Sequence, residues 1–299
     1  MKLGLGLPTS GVGTSVAAIA EAAEEAERIG LDSIWTFERL LSPVDGAIGI
    51  GGTEPTPLPE SYRSVYDPLE TLAYVAARTS TIALGTSVLD VLLHSPIVLG
   101  RRLATLDQLC GGRLLAGLGV GWMVAEFDAA GVPTERRGAR LEEHITAMRA
   151  VWGPDPVAHD GAFYTIAPSY AGPKPVAPGG VAVLAGAMAP AAVERAGRLG
   201  LGLNPIMMTW EMFEGSVAAF RDAAAKAGHD AASLPVVVRV NGEVTASPVD
   251  DRQPLTGSVE QVVEDLARVA RSGVDHVLWG PGDDVDQQLE LMAELRRSI

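Results

Sequence analysis

The sequence predicts an α/β protein built as a (β/α)8 TIM barrel, with insertions after strand two and around residues 153–180. Three observations carry this reading. Short apolar runs alternate with amphipathic helical stretches eight times along the chain. The length of 299 residues holds one barrel of about 250 residues with about 50 to spare. No linker separates two halves, so residues 1–299 read as a single domain. Parallel strands joined by helices need right-handed crossovers, and eight such units close most naturally on themselves; an open doubly wound sheet is the alternative.

Taken in order, Lys2 to Leu7 is strand one, ended by Pro8. Thr14 to Ile29 carries apolar residues at helical spacing with Glu21, Glu24, Glu25 and Glu27 on the solvated side, and Gly30 stops it. Asp32 to Phe37 is strand two. Leu41 to Tyr66 is too rich in Gly and Pro for a regular element. In Asp67-Pro68-Leu69-Glu70 the Asp caps a helix, Pro takes its first position, and Glu complements the positive end of its dipole. Thr81 to Leu89 is strand three. Ser95-Pro96 opens the next helix, Gly111-Gly112 breaks it, and Arg113 to Leu118 is strand four. Glu135 to Trp152 is a long amphipathic helix. Residues 153–180 are a surface excursion with a short hairpin around Ala162 to Ile166. The rhythm resumes with strands at Val181 to Ala185, Leu201 to Asn204, Pro235 to Val244 and His276 to Trp279. Helices follow from Pro190, from Trp210, from the capping-box spacing Ser258-Val259-Glu260-Gln261, and from Asp283.

Composition narrows the function. Hydrophobic residues at 47% permit a sizeable core. With 23 Lys and Arg against 37 Asp and Glu, the net charge of −14 argues against nucleic-acid and anionic membrane partners, whose affinity rests on basic patches. One cysteine, Cys110, excludes an internal disulfide and a Cys-based zinc site, and the five histidines lack metal-ligand spacing, so no metal is expected. No apolar run is long enough for a membrane span and the N-terminus lacks a signal peptide's features, so the expected location is the cytoplasm.

In a barrel of this kind chemistry belongs at the C-terminal ends of the strands. Those ends are apolar and glycine-rich here, which suits a large planar ligand better than a hydrolytic centre. Gly117-Leu118-Gly119-Val120-Gly121-Trp122 looks like a dinucleotide fingerprint, but Trp122 stands where its third glycine belongs. Gly85-Thr86-Ser87-Val88-Leu89 fails the nucleophile elbow at Leu89. Ser87-Val88 is either an ordinary strand end or a site. His94, in a loop before a helix start, is either solvated or a substrate contact. Glu38 and Arg39 are either a surface ion pair or an acid and base at the mouth. Trp122 and Phe127 are packing aromatics or a ligand wall, and Arg136 to Arg140 is a solvated helix start or an attractor of an anionic cofactor tail.

The chain resembles the luciferase-like monooxygenase superfamily, and within it the oxidoreductases that use the deazaflavin coenzyme F420. The resemblance spans nearly the full length. It rests on Gly30-Leu31-Asp32-Ser33-Ile34-Trp35, Asp67-Pro68-Leu69-Glu70-Thr71-Leu72 and Ile82-Ala83-Leu84-Gly85-Thr86-Ser87-Val88-Leu89. Further matches are Leu103 to Asp107 with Gly112-Arg113-Leu114, Gly117 to Trp122 with Glu126-Phe127, and Gly273 to Leu278. It implies a homodimeric barrel with a flavin-like ring at the C-terminal mouth and a non-proline cis peptide at the end of strand three, here Ser87-Val88. It also implies cofactor contacts from Val120, Gly121 and Trp122 after strand four, and from Gly186, Ala187 and Met188 after strand five. Many relatives carry Asp-His where this chain has Glu38-Arg39, and Asn where it has Met123. Glu38 and His94 are therefore the candidates for proton handling. The implied reaction is hydride transfer between F420 and a small, largely apolar organic substrate. The alternatives are an FMN-dependent, reductase-coupled monooxygenase on the same barrel, and a barrel that binds flavin or deazaflavin without turnover.

Overall fold

A computed structural model describes residues 1–48 and 54–299; the expected irregular segment after strand two falls partly on 49–53, outside the described residues. Eight parallel strands form the wall: β1 (Lys2–Gly6), β2 (Ser33–Thr36), β3 (Ala83–Thr86), β4 (Leu114–Gly119), β5 (Ala182–Ala185), β6 (Gly202–Leu203), β7 (Val237–Val240) and β8 (His276–Trp279). Their order around the wall is β6-β5-β4-β3-β2-β1-β8-β7. The remaining seam, between β6 and β7, is closed by isolated parallel bridges, Leu203 with Val236 and Ile206 with Arg239. Outside lie α1 (Val16–Arg28), α2 (Pro68–Ala76), α3 (Pro96–Leu109), α4 (Arg137–Trp152), α5 (Pro190–Arg198), α6 (Trp210–Lys226), α7 (Val259–Arg271) and α8 (Val285–Arg297). The predicted (β/α)8 barrel is the observed fold.

The alternation of side chains along each strand divides the core in two. Leu3, Leu5, Ile34, Leu84 and Val238 face outward into a large cluster with helix residues such as Leu72, Leu99, Ile145, Phe220 and Met292. Inside the barrel a smaller cluster joins Trp35, Leu184, Val237 and Leu278. Trp35 fits because its neighbours are small: a methyl group at Gly85 would overlap its ring, and one at Gly4 would stand 2.7 Å from its Nε1. The indole Nε1 donates to Ser33 Oγ at 2.7 Å, and that oxygen lies 2.7 Å from His276 Nε2. Burial drives the His276 imidazole down to about 4, so it is neutral and hydrogen-bonded at the barrel's closed end.

The helix starts follow the local chemistry. The Asp67 side chain accepts from Leu69 N at 3.1 Å, with Pro68 at the first helical position. Ser258 and Gln261 form the reciprocal capping box. Arg113, just before strand four, donates to the carbonyls of Ala76, Thr79, Ile82 and Cys110 and ties the loops at the base of the wall.

Several boundaries differ from the sequence reading. Strand seven stops at Val240, and Val244–Thr245 pairs instead with Gly257–Ser258. An unpredicted short helix, Val124–Ala130, follows strand four. The segment after strand two contains a small antiparallel pair, Ala47–Ile48 with Thr56–Pro57. The hairpin expected around Ala162 to Ile166 is present, its strands being Val157–Asp160 and Thr165–Ser169. Among the described residues no helix is long and apolar enough to cross a membrane.

Candidate active site

The mouth is built first by the end of β3. The Ser87-Val88 peptide is cis, and Glu38 N donates to the Val88 carbonyl at 3.1 Å. Ser87 Oγ donates to Asn204 Oδ1 at 2.7 Å, and Asn204 Nδ2 donates to the Val237 carbonyl at 2.7 Å. The Val88 side chain sits on glycines: a methyl group at Gly119 or at Gly186 would stand 2.7 Å from one of its γ-carbons. That explains much of the glycine run on strand four without a dinucleotide. Gly121 has a different reason. Its φ is +70°, and a methyl group there would overlap the Asp90 carboxyl.

Beside this lies a compact acidic cluster. His94 Nε2 is 2.7 Å from Glu38 Oε1, and Glu38 Oε2 accepts from Asp90 N at 2.6 Å. Burial by itself would push the His94 imidazole down; the hydrogen bond and charge of Glu38 outweigh it and raise it above its ordinary value. Asp90 is buried, and neither of its carboxyl oxygens has a hydrogen-bond partner among the described residues. Burial, then the charges of Glu38 and Glu126, push its carboxyl up to about 7, against the opposing pull of Arg39. Glu126 is fully buried and accepts from Leu40 N at 2.7 Å. It pairs with Arg39 at 3.3 Å. The reading of Glu38 and Arg39 as a surface ion pair is therefore corrected. Arg39 turns inward to Glu126 with its side chain only 8% exposed, and Glu38 turns to His94.

The open side of the mouth is aromatic and cationic. The Arg39 guanidinium lies 5.0 Å from the Trp122 ring centroid and 5.7 Å from that of Tyr62. Trp122 itself is 43% exposed, so it is a surface wall and not core packing, whereas Phe127 is fully buried. Arg239, on β7, donates through Nε to Asn241 Oδ1 at 2.9 Å and through Nη1 to the Ser87 carbonyl, and it lies 6.0 Å from the Phe37 ring. A concavity of about 340 Å³ opens between Ile48 and Thr56 of the inserted segment and Met207, Met208, Asn241 and Pro254. Larger hollows of about 760 and 750 Å³ lie elsewhere, between α1 and α8 and at the closed end. They hold none of the mouth residues. Arg137 Nη1 donates to the Gly121 carbonyl at 2.7 Å, and Arg136 and Arg140 both lie over Phe163, so the basic run braces the mouth's edge.

The structure brings Glu38 and His94 into direct contact and gathers Ser87, Val88, Gly121 and Gly186 through packing around Val88 and Asp90. Val120, Gly186 and Met188 are partly exposed at the strand ends. Ala187 is 5% exposed and packs into the large outer core, which leaves only its backbone for a ligand. Sequence reasoning missed Asp90, Asn204 and Arg239. Two left a signal: Asp90 is an acid inside the apolar run Leu89 to Leu93, and Arg239 interrupts Val236 to Val240. Among the described residues no His, Cys, Asp and Glu grouping could hold a metal ion.

These residues fit a planar conjugated cofactor. Val88 is half-buried and Trp122 exposed at the strand ends, so both offer apolar surface, and a methyl group at Gly280 would meet only open space. A family model described as luciferase-like monooxygenase matches residues 2–248. A protein of Mycobacterium tuberculosis (strain ATCC 25618 / H37Rv) is 35% identical over 288 residues, 95% of this chain and 93% of that protein. An F420-dependent glucose-6-phosphate dehydrogenase of Kineococcus radiotolerans is 33% identical over 190 residues, 62% of this chain and 50% of that enzyme. Among solved structures, an F420-dependent secondary alcohol dehydrogenase in complex with an F420-acetone adduct gives a TM-score of 0.80 at 17% identity, over 99% and 98% of the two chains. A monooxygenase from Streptomyces bottropensis gives 0.79 at 23% identity over all of both chains. With the family model matched over the greater part of its length, the chain belongs to the luciferase-like monooxygenase family.

Proposed function

We propose that the protein is an oxidoreductase that moves a hydride between coenzyme F420 and a small, largely apolar organic substrate at the barrel mouth. The observation that supports it most is Val88 seated on Gly119 and Gly186, with Trp122 exposed three positions after Gly119. Such a floor and wall suit a tricyclic ring, and F420-dependent enzymes stand among the relatives. When bound, the deazaflavin supplies the hydride-carrying carbon at position 5 of its ring. The chain's part is to position and shield. Val88, Gly121, Gly186 and the backbone around Val120, Ala187 and Met188 bind the ring, and Trp122 covers it. The inserted segment, which meets the mouth's concavity at Ile48 and Thr56, helps to exclude water from it. The Glu38–His94 pair, which shares a proton between His94 Nε2 and Glu38 Oε1, is the group that handles protons for the substrate. In the same reading the protein is a cytoplasmic homodimer acting on a small molecule, without nucleic-acid or membrane partners.

Fluorescence titration of the purified protein with F420 and with FMN tests this. Binding of F420 supports it, and binding of FMN alone with oxygen-dependent turnover favours the second reading, a monooxygenase, which the Streptomyces bottropensis neighbour keeps open. Tight F420 binding with no turnover across ketones, enones and alcohols would instead favour a carrier or sensor. Local amides and arginines must hold an anionic cofactor against a net charge of −14, so its affinity should depend on salt.

A further inference from the structure

Arg239 stands apart from the other charges of the mouth. On β7 the residues Val236, Val238 and Val240 belong to the outer core and Val237 to the interior cluster, so Arg239 also projects inward. Its side chain is half-buried, and it reaches across the mouth to the Ser87 carbonyl while holding Asn241. A guanidinium has five N–H donors in a planar fork, and these contacts use only part of them. No carboxylate among the described residues pairs with it, and residues 49–53, Gly-Ile-Gly-Gly-Thr, contain no acid. Arg39, which also turns inward at the mouth, has Glu126, and Arg137 at the mouth's edge is turned to the Gly121 carbonyl. A chain with 37 acidic residues has thus left a half-buried cation at its mouth without a counter-charge. Burial is the largest influence on this group and pulls its pKa below the ordinary arginine value.

We propose that Arg239 is a specificity-determining residue that binds the carboxylate of a small planar substrate whose apolar body rests beside Phe37. The inference deepens the proposed function and rests on its placing the substrate at this mouth. A carboxylate matches the guanidinium fork in two parallel hydrogen bonds, and the surrounding low dielectric strengthens the pairing. Phe37, half-buried with the guanidinium 6.0 Å from its ring, supplies apolar surface next to the fork for the body of an aromatic or conjugated acid. The cofactor's own anionic groups are the competing source of negative charge.

The experiment titrates the full-length protein with benzoate and with the neutral isostere benzamide, followed by calorimetry, in wild type, Arg239→Gln and Arg239→Lys. Wild type should bind benzoate about tenfold or more tighter than benzamide. Arg239→Gln should lose that preference, and Arg239→Lys, which keeps the charge without the fork, should retain part of it. Equal affinities in wild type, or an unchanged preference in Arg239→Gln, overturn the proposal. Circular dichroism checks folding; if the Gln variant does not fold, the Lys variant decides, and a preference equal to wild type overturns the fork. A second arm titrates F420. Affinity in Arg239→Gln within about threefold of wild type supports a substrate role. A loss of about tenfold or more without benzoate discrimination assigns the charge to the cofactor and overturns it. Failure of every variant to bind F420 would defeat the cofactor reading while leaving the benzoate result to stand by itself.

Discussion

The carboxyl group of Asp90 lies against the α-carbon of Gly121, so close that a β-carbon at position 121 would overlap it. The left-handed backbone of one and the buried acid of the other are a single packing unit. Gly121→Ala should therefore destabilise the protein by about 1–3 kcal/mol, from backbone strain plus the overlap. Adding Asp90→Ala should recover part of that loss. A double-mutant cycle by chemical denaturation measures the coupling, and strict additivity would contradict the contact.

Asp90 also sets a pH dependence. Its carboxyl titrates near 7 in the folded protein against 3.8 ordinarily, so its stabilising contribution is full below about 4 and is lost as pH rises through 7. The loss amounts to about 4 kcal/mol. Asp90→Asn, which cannot ionise, should gain stability relative to wild type between pH 4 and pH 8. Parallel melting curves that keep a constant offset across that range would refute it.

The Glu38–His94 contact predicts the pattern for a base. A histidine raised above its ordinary value stabilises the fold at low pH, and that contribution fades as pH climbs through the folded value. Glu38→Gln should lower the His94 pKa in an NMR titration and cost about 1–3 kcal/mol at pH 6, with a smaller cost at pH 9. An unmoved His94 resonance would show that the pair does not govern its protonation.

Glu126 and Arg39 form a buried ion pair, so removing one partner leaves an uncompensated charge. Glu126→Gln is expected to cost about 3–5 kcal/mol. The double change Arg39→Met with Glu126→Leu should be milder than Glu126→Gln. Urea denaturation orders the three proteins, and a double variant weaker than the single one would reverse the argument.

Much of this architecture was legible in local chemistry. Cap-plus-proline at Asp67-Pro68 and the reciprocal Ser258–Gln261 box mark helix starts that need no distant partner. The Val124–Ala130 helix escaped because it has seven residues and its cap position, Met123, makes no side-chain bond. Strand seven read too long because that reading joins Val244 to it across the polar Asn241-Gly242-Glu243, where the chain in fact leaves the wall to pair Val244 with Gly257. The candidate site was only half legible. Ser87 and Val88 carry a family pattern, and His94 a loop position. Asn204 matters through contacts with Ser87 and Val237, and Arg239 through one with Ser87, 152 positions away. No window of sequence holds both ends of such contacts.

The β6–β7 seam gives these long contacts a mechanical meaning. Every other seam is a ladder, while this one is stitched by a few bonds, such as Leu203 N to the Pro235 carbonyl at 2.9 Å and Met207 N to the Arg239 carbonyl at 2.8 Å. The side chains of Asn204 and Arg239 compensate, running from that weak seam to Ser87 on the far wall like struts across a hoop. These two side chains thus tie the seam to the end of strand three at the mouth. A ligand that draws Arg239 away from Ser87 would loosen a strut as it docks, so amides at the seam should report occupancy of the mouth through their exchange with solvent.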